Sequence, residues 1–397
     1  MIRRSSTIAR LSIAMAMTIQ TANIAVGKEP HSPAKPLLSS KWDVQGDCLT
    51  LPVKIGDKWH LFAVDTGSTR TVLDISFQSQ LTVAGEVERI RTVATNDEAV
   101  YSPPVMLIAG TESGEIRFPA RGAISCYDIA KKLKVNEVPF VGVLGMDFLE
   151  NYALHLSTSK GRLELFESDE IRRKEGDTKL RFVMVDRQPF IKVRSHGTHF
   201  WAIVDTGAIA SLFLQREIFQ AFDRNDFLRP LEFEVGNTTG AATRSGSTGW
   251  LEHLGVGPFT HRQLYVSAID DVSLLGLRYW SRYDCTFDFP QSSIYLSKGP
   301  YFNLTDDSDH AGIFVETSGK ELPVVTYVAK GSAGDLAGVQ RGDRLLSIES
   351  NDVKSDSDVE LRQRLCFRQD RRCSLKMMRD GKEIQVTLPR SDMKPQQ

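Results

Sequence analysis

The sequence lacks the motifs of several common hydrolase and metal-binding classes. None of its eight histidines stands in a His-Glu-x-x-His pattern, and no Gly-x-Ser-x-Gly elbow occurs, so zinc-peptidase and serine-hydrolase chemistry have no residues to carry them. No Gly- and Lys-rich loop suggests a phosphate site. The five cysteines show no Cys-x-x-Cys spacing. We therefore predict neither a metal site nor a cofactor.

The cysteines are few and dispersed, at positions 48, 126, 285, 366 and 373. Their odd number excludes complete pairing within the chain. Only Cys366 and Cys373 are close in sequence, and in an oxidising compartment they could bridge a helix end to the next strand. We expect the other three to be buried thiols.

The chain also lacks an excess of charge of either sign, with 49 basic and 50 acidic residues. No long-range field therefore selects nucleic acid or an anionic membrane, and we predict neither as a partner. A hydrophobic fraction of 41% and a charged fraction of 25% are typical of globular proteins. A length of 397 residues suits two or three domains.

No stretch is long and apolar enough for a membrane helix. At the N-terminus, Arg3, Arg4 and Arg10 precede a mostly apolar run over residues 11–19, and small residues follow. This order is typical of a secretory signal, so we predict that residues 1–27 are a targeting segment and that the protein is exported to the periplasm, the cell envelope or the medium. An uncleaved anchor and a frayed cytoplasmic terminus are the alternatives.

The main positive feature is an internal repeat. Each copy reads as a β-hairpin that leads through an apolar stretch into Asp-Thr-Gly, and each later contains an apolar-apolar-Gly element. A charged stretch over 167–179 reads as the linker between the copies. The repeated segments are Leu51–Ile55, Phe62–Val64, Asp65–Gly67 and Val143–Gly145 in the first copy, and Pro189–Val193, Ala202–Val204, Asp205–Gly207 and Leu274–Gly276 in the second.

Each copy supplies one aspartate to a pair that can activate water. One carboxylate takes a proton from the water while its protonated neighbour donates to the substrate carbonyl. Because like charges a few ångströms apart cannot both ionise, the pair shares one proton, for which aspartic proteases are the standard example. Glycine allows a close approach of the loops, and threonine hydroxyls can bond across the pseudo-twofold axis.

The loops Phe62–Thr69 and Ala202–Ala208 resemble the active-site loops of pepsin-like and retroviral aspartic peptidases, and both apolar-apolar-Gly elements match that family's second motif. The resemblance implies a mainly β, bilobal fold with pseudo-twofold-related lobes over 40–166 and 180–298, and a monomer containing both halves of the site. It implies peptide or protein substrates. The implied catalytic residues are Asp65 and Asp205, supported by Thr66, Gly67, Ser68, Thr206, Gly207 and Ala208.

The second loop departs from the pepsin pattern, since Ala208 stands where a hydroxyl residue is usual. We expect the Ser68 hydroxyl to donate to its carboxylate, and Asp205 to lack this donor, which favours a weakly acidic optimum. Flap hairpins are expected from order along the chain, with tips near Ala94–Ala99 and Gly236–Gly246. Tyr101 is a candidate flap aromatic, although an ordinary strand residue is the simpler interpretation.

After a second predicted linker, 297–310, residues 310–390 form a small α+β unit. Strand patterns flank a capping-box pattern at Ser332–Asp335, and a helix carries Leu361 and Leu365 on one face. Through Ala311–Phe314 and the run from Gly331 to Ile348, the unit resembles a PDZ domain. By resemblance, the loop formed by Ala311, Gly312, Ile313 and Phe314 binds a peptide carboxylate, and a strand edge accepts an extended peptide. The alternative is that this unit only packs against the rest.

We therefore predict an aspartic endopeptidase with a peptide-binding module. A non-catalytic peptide-binding or scaffold protein that keeps the same fold is the alternative. An aspartyl-phosphate phosphotransferase is a third possibility, but neither aspartate is followed by a phosphate-binding loop.

Overall fold

The described strands follow the alternation of apolar and polar residues. In the strand Thr50–Ile55, the buried residues are Leu51, Val53 and Ile55. The computed structural model describes residues 35–42, 48–77, 84–91, 96–125, 134–135, 138–168, 176–230, 235–239, 242–246, 248–270, 272–303, 306, 311–317, 321–328, 332–354, 361, 365 and 373–388. They belong to one compact unit, Lys35–Gln397. The predicted mainly β class is confirmed.

The first half contains one sheet in which neighbouring strands follow the order β2-β3-β9-β4-β7-β6-β5, with β2 also contacting β6. The pairs β3–β9 and β4–β7 are parallel. The elements are β1 Leu38–Lys41, β2 Thr50–Ile55, β3 Lys58–Val64, β4 Val72–Leu73, a 3-10 helix Ile75–Phe77, β5 Ala84–Arg91, β6 Asn96–Thr111, β7 Gly114–Ser125, β8 Lys134–Val135, β9 Val138–Leu144, α1 Met146–Leu149, β10 Ala153–Ser157 and β11 Arg162–Phe166.

The second half repeats this order as β14-β15-β22-β16-β21-β20-β17, and β14 contacts β20 as β2 contacts β6. The parallel pairs recur as β15–β22 and β16–β21. The elements are β12 Thr178–Arg181, β13 Val183–Val185, β14 Gln188–Ser195, β15 Thr198–Asp205, β16 Leu212–Gln215, α2 Arg216–Arg224, β17 Leu228–Pro230, β18 Val235–Thr239, β19 Ala242–Gly246, β20 Thr248–Val256, β21 Phe259–Ile269, β22 Ser273–Gly276, α3 Leu277–Trp280, β23 Tyr283–Asp288 and β24 Ser293–Lys298.

A six-stranded sheet joins the two halves in the order β1-β11-β10-β23-β24-β12. At its centre, β10 of the first half pairs antiparallel with β23 of the second, with Leu154 opposite Phe287. Phe62 and Phe148 of the first half belong to the same buried apolar cluster as Trp280 of the second. The halves therefore share one core through this sheet, and they are not separated by a linker alone.

The C-terminal unit has its own sheet and core. Its sheet follows the order β25-β26-β27-β29-β30, and Leu361 and Leu365 are buried against it. One of the two bonds of the predicted capping box is seen: the hydroxyl of Ser332 accepts from the N–H of Asp335 at 3.3 Å. The elements are β25 Ile313–Glu316, β26 Val324–Val328, α4 Ala333–Leu336, β27 Arg344–Ile348, β28 Asn351–Asp352, β29 Cys373–Arg379 and β30 Lys382–Leu388.

Both predicted linkers overlap regular structure at an end. Thr178 and Lys179 belong to β12, two residues before the predicted start of the second half. At the other linker β24 runs to Lys298, and Asp306 is buried with 2% of its surface exposed.

Residues 1–27, Cys126 and Cys366 lie outside the described residues, so the targeting segment and the Cys366–Cys373 bridge remain predictions. Among the helices that the structure describes, none is long and apolar enough to cross a membrane.

Candidate active site

The two Asp-Thr-Gly segments end equivalent strands and lie together. Asp65 follows β3, and Asp205 is the last residue of β15. Behind each runs the parallel strand of the predicted apolar-apolar-Gly element, with Val64 opposite Leu144 and Asp205 opposite Gly276. The strand order of each half therefore directs its aspartate to the same place between the halves.

Two threonines join the loops by reciprocal hydrogen bonds. The N–H of Thr66 donates to the hydroxyl of Thr206 at 3.1 Å, and the N–H of Thr206 donates to the hydroxyl of Thr66 at 3.0 Å. Each hydroxyl in turn donates across the axis, to the carbonyl of Val204 at 2.6 Å and of Val64 at 2.8 Å. Both threonines are fully buried. The bond across the axis predicted from the sequence is present in both directions.

Each carboxylate is held by two backbone donors of its own loop. Asp65 accepts from the N–H groups of Gly67 at 2.8 Å and Ser68 at 3.2 Å. Asp205 accepts from those of Gly207 and Ala208, both at 2.9 Å. Such bonds fix the orientation of the carboxyl groups before any ligand arrives.

The loop glycines bring the two carboxyls together. A Cβ built on Gly67 would lie 2.5 Å from Cγ of Asp205, and one on Gly207 would lie 2.4 Å from Cγ of Asp65. Any side chain at either position would displace the opposite carboxyl. The glycines are therefore required by this close approach.

The glycines of the second motif meet backbone instead. A Cβ on Gly145 would lie 2.3 Å from the carbonyl carbon of Arg70, and one on Gly276 would lie 2.0 Å from the carbonyl oxygen of Ala210. The N–H of Met146 and that of Leu277 then donate to the carbonyls of Ser68 at 2.8 Å and Ala208 at 2.7 Å. These hydrogen bonds thus join each Asp-Thr-Gly loop to the segment that runs behind it.

The electrostatics favour a proton shared by the pair. Burial raises the pKa of Asp205 well above the usual carboxyl range, and the charge of Asp65 raises it further. Burial also raises the pKa of Asp65, while the N–H of Gly67 opposes this. Because the two carboxyls lie close together in a buried site, they cannot both ionise, and the pair therefore holds one proton. The arrangement can therefore accept one proton and donate another.

The Ser68 hydroxyl does not play its predicted part. It donates to the carbonyl of Arg70 at 2.7 Å, and the bond from Ser68 to Asp65 comes from the backbone N–H. Because Ala208 offers the same backbone donor, the two loops hold their carboxylates alike. The predicted difference in donors between the loops is therefore wrong.

Hairpins occur at both predicted flap positions. β5 pairs with β6, and β18 pairs with β19 from Val235 opposite Gly246 to Thr239 opposite Ala242. The chain between the strands of each hairpin, and the side chain of Tyr101, lie outside the described residues. The roles of these hairpins and of Tyr101 therefore stay predictions.

Four residues that support the site were not predicted. Arg282 and Asp306 form a buried ion pair, and Asp306 also accepts from the hydroxyl of Ser211 at 2.6 Å. The carbonyl of Ser211 accepts from Gly276 at 3.0 Å, which connects this ion pair to the second loop. The side-chain amide of Gln188 donates to the carbonyl of Gly67 at 2.9 Å.

The predicted carboxylate-binding loop of the C-terminal unit lies partly in the core. Ala311 and Ile313 are buried, with 2% and 8% of their surfaces exposed. The carbonyl of Ala311 accepts from the N–H of Gly334 at 2.8 Å, and Gly312 has φ of +59°. The side chain of Phe314 lies outside the described residues.

A capped helix, two long antiparallel strands and a separate core thus form a self-contained module. Residues 324–364 match the family model of the PDZ domain. This match supports a peptide-binding module, and it begins after the Ala311–Phe314 loop. No curated protein matches the chain.

Proposed function

We propose that this chain is an aspartic endopeptidase whose catalytic pair is Asp65 and Asp205. The observation that carries the proposal is the juxtaposition of the two carboxyls, each against the glycine of the opposite loop. The reciprocal bonds of Thr66 and Thr206 hold that juxtaposition in place.

We also propose that the two halves form the bilobal architecture of pepsin-like enzymes. The repeated strand order and the shared six-stranded sheet support this. On this proposal substrate lies in a cleft between the halves, and the β5–β6 and β18–β19 hairpins cover it. Because both halves of the site belong to one chain, a monomer is sufficient for activity.

In the proposed reaction the shared proton lies on Asp205, whose pKa is raised more strongly. Asp65 takes a proton from water, the water oxygen attacks the peptide carbonyl carbon, and Asp205 donates its proton to the carbonyl oxygen. In the resulting gem-diol, one hydroxyl returns a proton to Asp205. Asp65 gives its proton to the amide nitrogen as the C–N bond breaks. The pair then has its starting protonation again.

A non-catalytic peptide-binding protein is the alternative. Placing two carboxyls against each other in a buried site costs stability, because their charges repel and burial disfavours ionisation. A cleft that only binds peptide does not require two carboxyls at such close range. Perturbed pKa values of this kind are typical of functional sites.

For the PDZ domain, we propose that it holds extended or C-terminal peptide segments near the catalytic halves. β-augmentation at a strand edge is the general mode for such modules. The side chains of Ala311 and Ile313 are buried, so on this proposal these two residues contact a carboxylate through their backbone. Export of the protein is proposed from the sequence of residues 1–27 alone.

Incubation with a mixed peptide library, from acidic to neutral pH, tests the proposal. We expect internal cleavage that a statine-type transition-state mimic inhibits and that a chelator does not. A folded protein that binds peptides but cleaves none at any pH would support the non-catalytic alternative instead.

A further inference from the structure

A cluster of metal-binding side chain types lies outside the candidate active site. His196 occupies the turn between β14 and β15, while Glu252 and His253 lie on β20. One ligand atom from each of the three lies within 4.8 Å of the others. Because His196 lies 56 residues before Glu252, no motif spacing indicates the cluster.

Strand pairing brings the cluster together. β14 pairs with β20, with Arg194 opposite Gly255, so the turn at the end of β14 lies beside His253. His196 and Gly197 both have positive φ, 47° and 74°, as in the two-residue turns of tight hairpins. The hydroxyl of Ser195 donates to the carbonyl of His253 at 2.6 Å and fastens the turn to β20.

The rings are held firmly. His196 stacks on Phe227, with centroids 4.1 Å apart and an angle of 10° between the planes. The centroids of the His253 and His196 rings lie 4.2 Å apart. Only 10% of the His196 side chain is exposed, whereas 61% of Glu252 is exposed. The cluster therefore has a rigid buried side and an open side.

The hydrogen bonds of Ser195 determine which nitrogen of His196 carries its proton. The single hydroxyl hydrogen of Ser195 is used on the carbonyl of His253, so its oxygen can only accept from Nδ1 of His196, at 2.9 Å. Nε2 of His196 then carries a lone pair, and it faces Oε2 of Glu252 at 3.2 Å. Two acceptors at that distance need a cation or an extra proton between them.

We propose that His196, Glu252 and His253 form a Zn²⁺ site. Two imidazoles and a carboxylate are typical ligands of this ion, and water completes four-coordination. The bond from Nδ1 of His196 to Ser195 is the outer contact that commonly orients a ligating histidine.

The cluster also has features that oppose a cation. Nε2 of His253 accepts from the N–H of His196 at 3.3 Å, and metal binding would replace this long bond. Arg262 lies 3.7 Å from Oε1 of Glu252, but 73% of Arg262 is exposed and Oε2 remains directed at His196.

The bound ion would cross-link the β14–β15 turn to β20, the strand that follows the β18–β19 hairpin in the sequence. An ion that binds only the folded chain raises its thermal stability. The proposal does not depend on peptidase activity.

The test is calorimetric titration of the EDTA-treated full-length protein with ZnCl₂ near neutral pH. We expect saturable binding at one ion per chain and a rise in Tm. Glu252→Gln, which changes an exposed side chain, should weaken binding by more than about tenfold, as should His253→Gln. His199→Ala is the matched control, because His199 is exposed on the same hairpin and outside the cluster.

Binding that both variants leave unchanged, or that His199→Ala removes, would overturn the assignment. The absence of any one-to-one binding would also overturn it. In that case an additional proton on His196 joins it to Glu252.

Discussion

A Cβ on Gly207 would lie 2.4 Å from Cγ of Asp65, about 1 Å closer than ordinary van der Waals contact. We predict that Gly207→Ala displaces this carboxyl and lowers kcat by about 100-fold, the usual effect of a 1 Å misplacement. Turnover per folded molecule is the measurement.

Gly257→Ala is the control for that variant. Its Cβ would meet Leu180 at 2.3 Å, away from the site, and φ is +56°. It should lower stability without lowering kcat. Equal turnover in the Gly207→Ala and wild-type proteins would contradict the close approach.

The second prediction concerns pH. Because burial raises the pKa of Asp205 well above the usual range, the pair keeps its proton to higher pH. The rate should fall only as pH rises through this raised pKa, on the alkaline side of about pH 4. The raised pKa also gives stability that is present below the unfolded pKa and lost as pH rises through the folded one.

Ala208→Ser should leave this pH–rate profile unchanged. The equivalent hydroxyl of Ser68 donates to the carbonyl of Arg70, and the carbonyl of Ala210 lies at the matching position beside Gly276. We therefore expect the new hydroxyl to donate there. The sequence alone predicts a shift toward acid, and such a shift would show that the hydroxyl reaches Asp205.

The third prediction concerns His261, which is buried and contacts the hydroxyl of Tyr283 through Nε2 at 2.5 Å. Burial, with a contribution from Arg282, lowers its pKa from 6.5 to about 4. Protonation is thus easier in the unfolded chain, so stability is present above pH 6.5 and is lost as pH falls toward about 4. The loss is on the order of 3 kcal/mol.

Urea unfolding at both ends of that pH range measures the loss. In His261→Gln, which keeps a polar group near Tyr283, the loss on acidification should be smaller by most of that amount. The same pH dependence in both proteins would show that other groups cause it.

The fourth prediction concerns the segment before the PDZ domain. Asp306→Asn should cost about 3–5 kcal/mol of stability, because the buried Arg282 would lose the carboxylate of Asp306. A chain ending at residue 303 should be destabilised similarly, whereas one ending at 310 should fold and cleave short peptides. Equal stability of the two truncations would contradict the role of Asp306. A chain ending at Lys298, the end of the second half predicted from the sequence, would lack Asp306.

Local signals account for what the sequence predicted well. Alternating strands, the Asp-Thr-Gly turns and the N-cap bond of Ser332 each depend on neighbouring residues, and the structure has them. The internal repeat placed Thr66 and Thr206 opposite each other, because two copies of one hairpin imply an axis between them. Each of these features is determined by a short segment of the sequence.

Long-range choices between partners could not be predicted. Asp306 lies in an acidic run typical of solvated linkers, and only the fold reveals Arg282 beside it. The hydroxyl of Ser68 donates to the carbonyl of Arg70, a partner that the Asp-Thr-Gly-Ser motif does not specify. His196 and Glu252 come together only through the pairing of β14 with β20.

The most direct test of the account is peptide hydrolysis by Asp65→Asn and Asp205→Asn, each compared with wild type after folding is checked by circular dichroism and unfolding. Because proton acceptance and donation need both carboxyls, we predict that either change lowers kcat at least about 1,000-fold. Thr66 and Thr206 should hold the fold in both variants. A folded single variant that cleaves peptides at near wild-type rate would contradict the assignment of the pair.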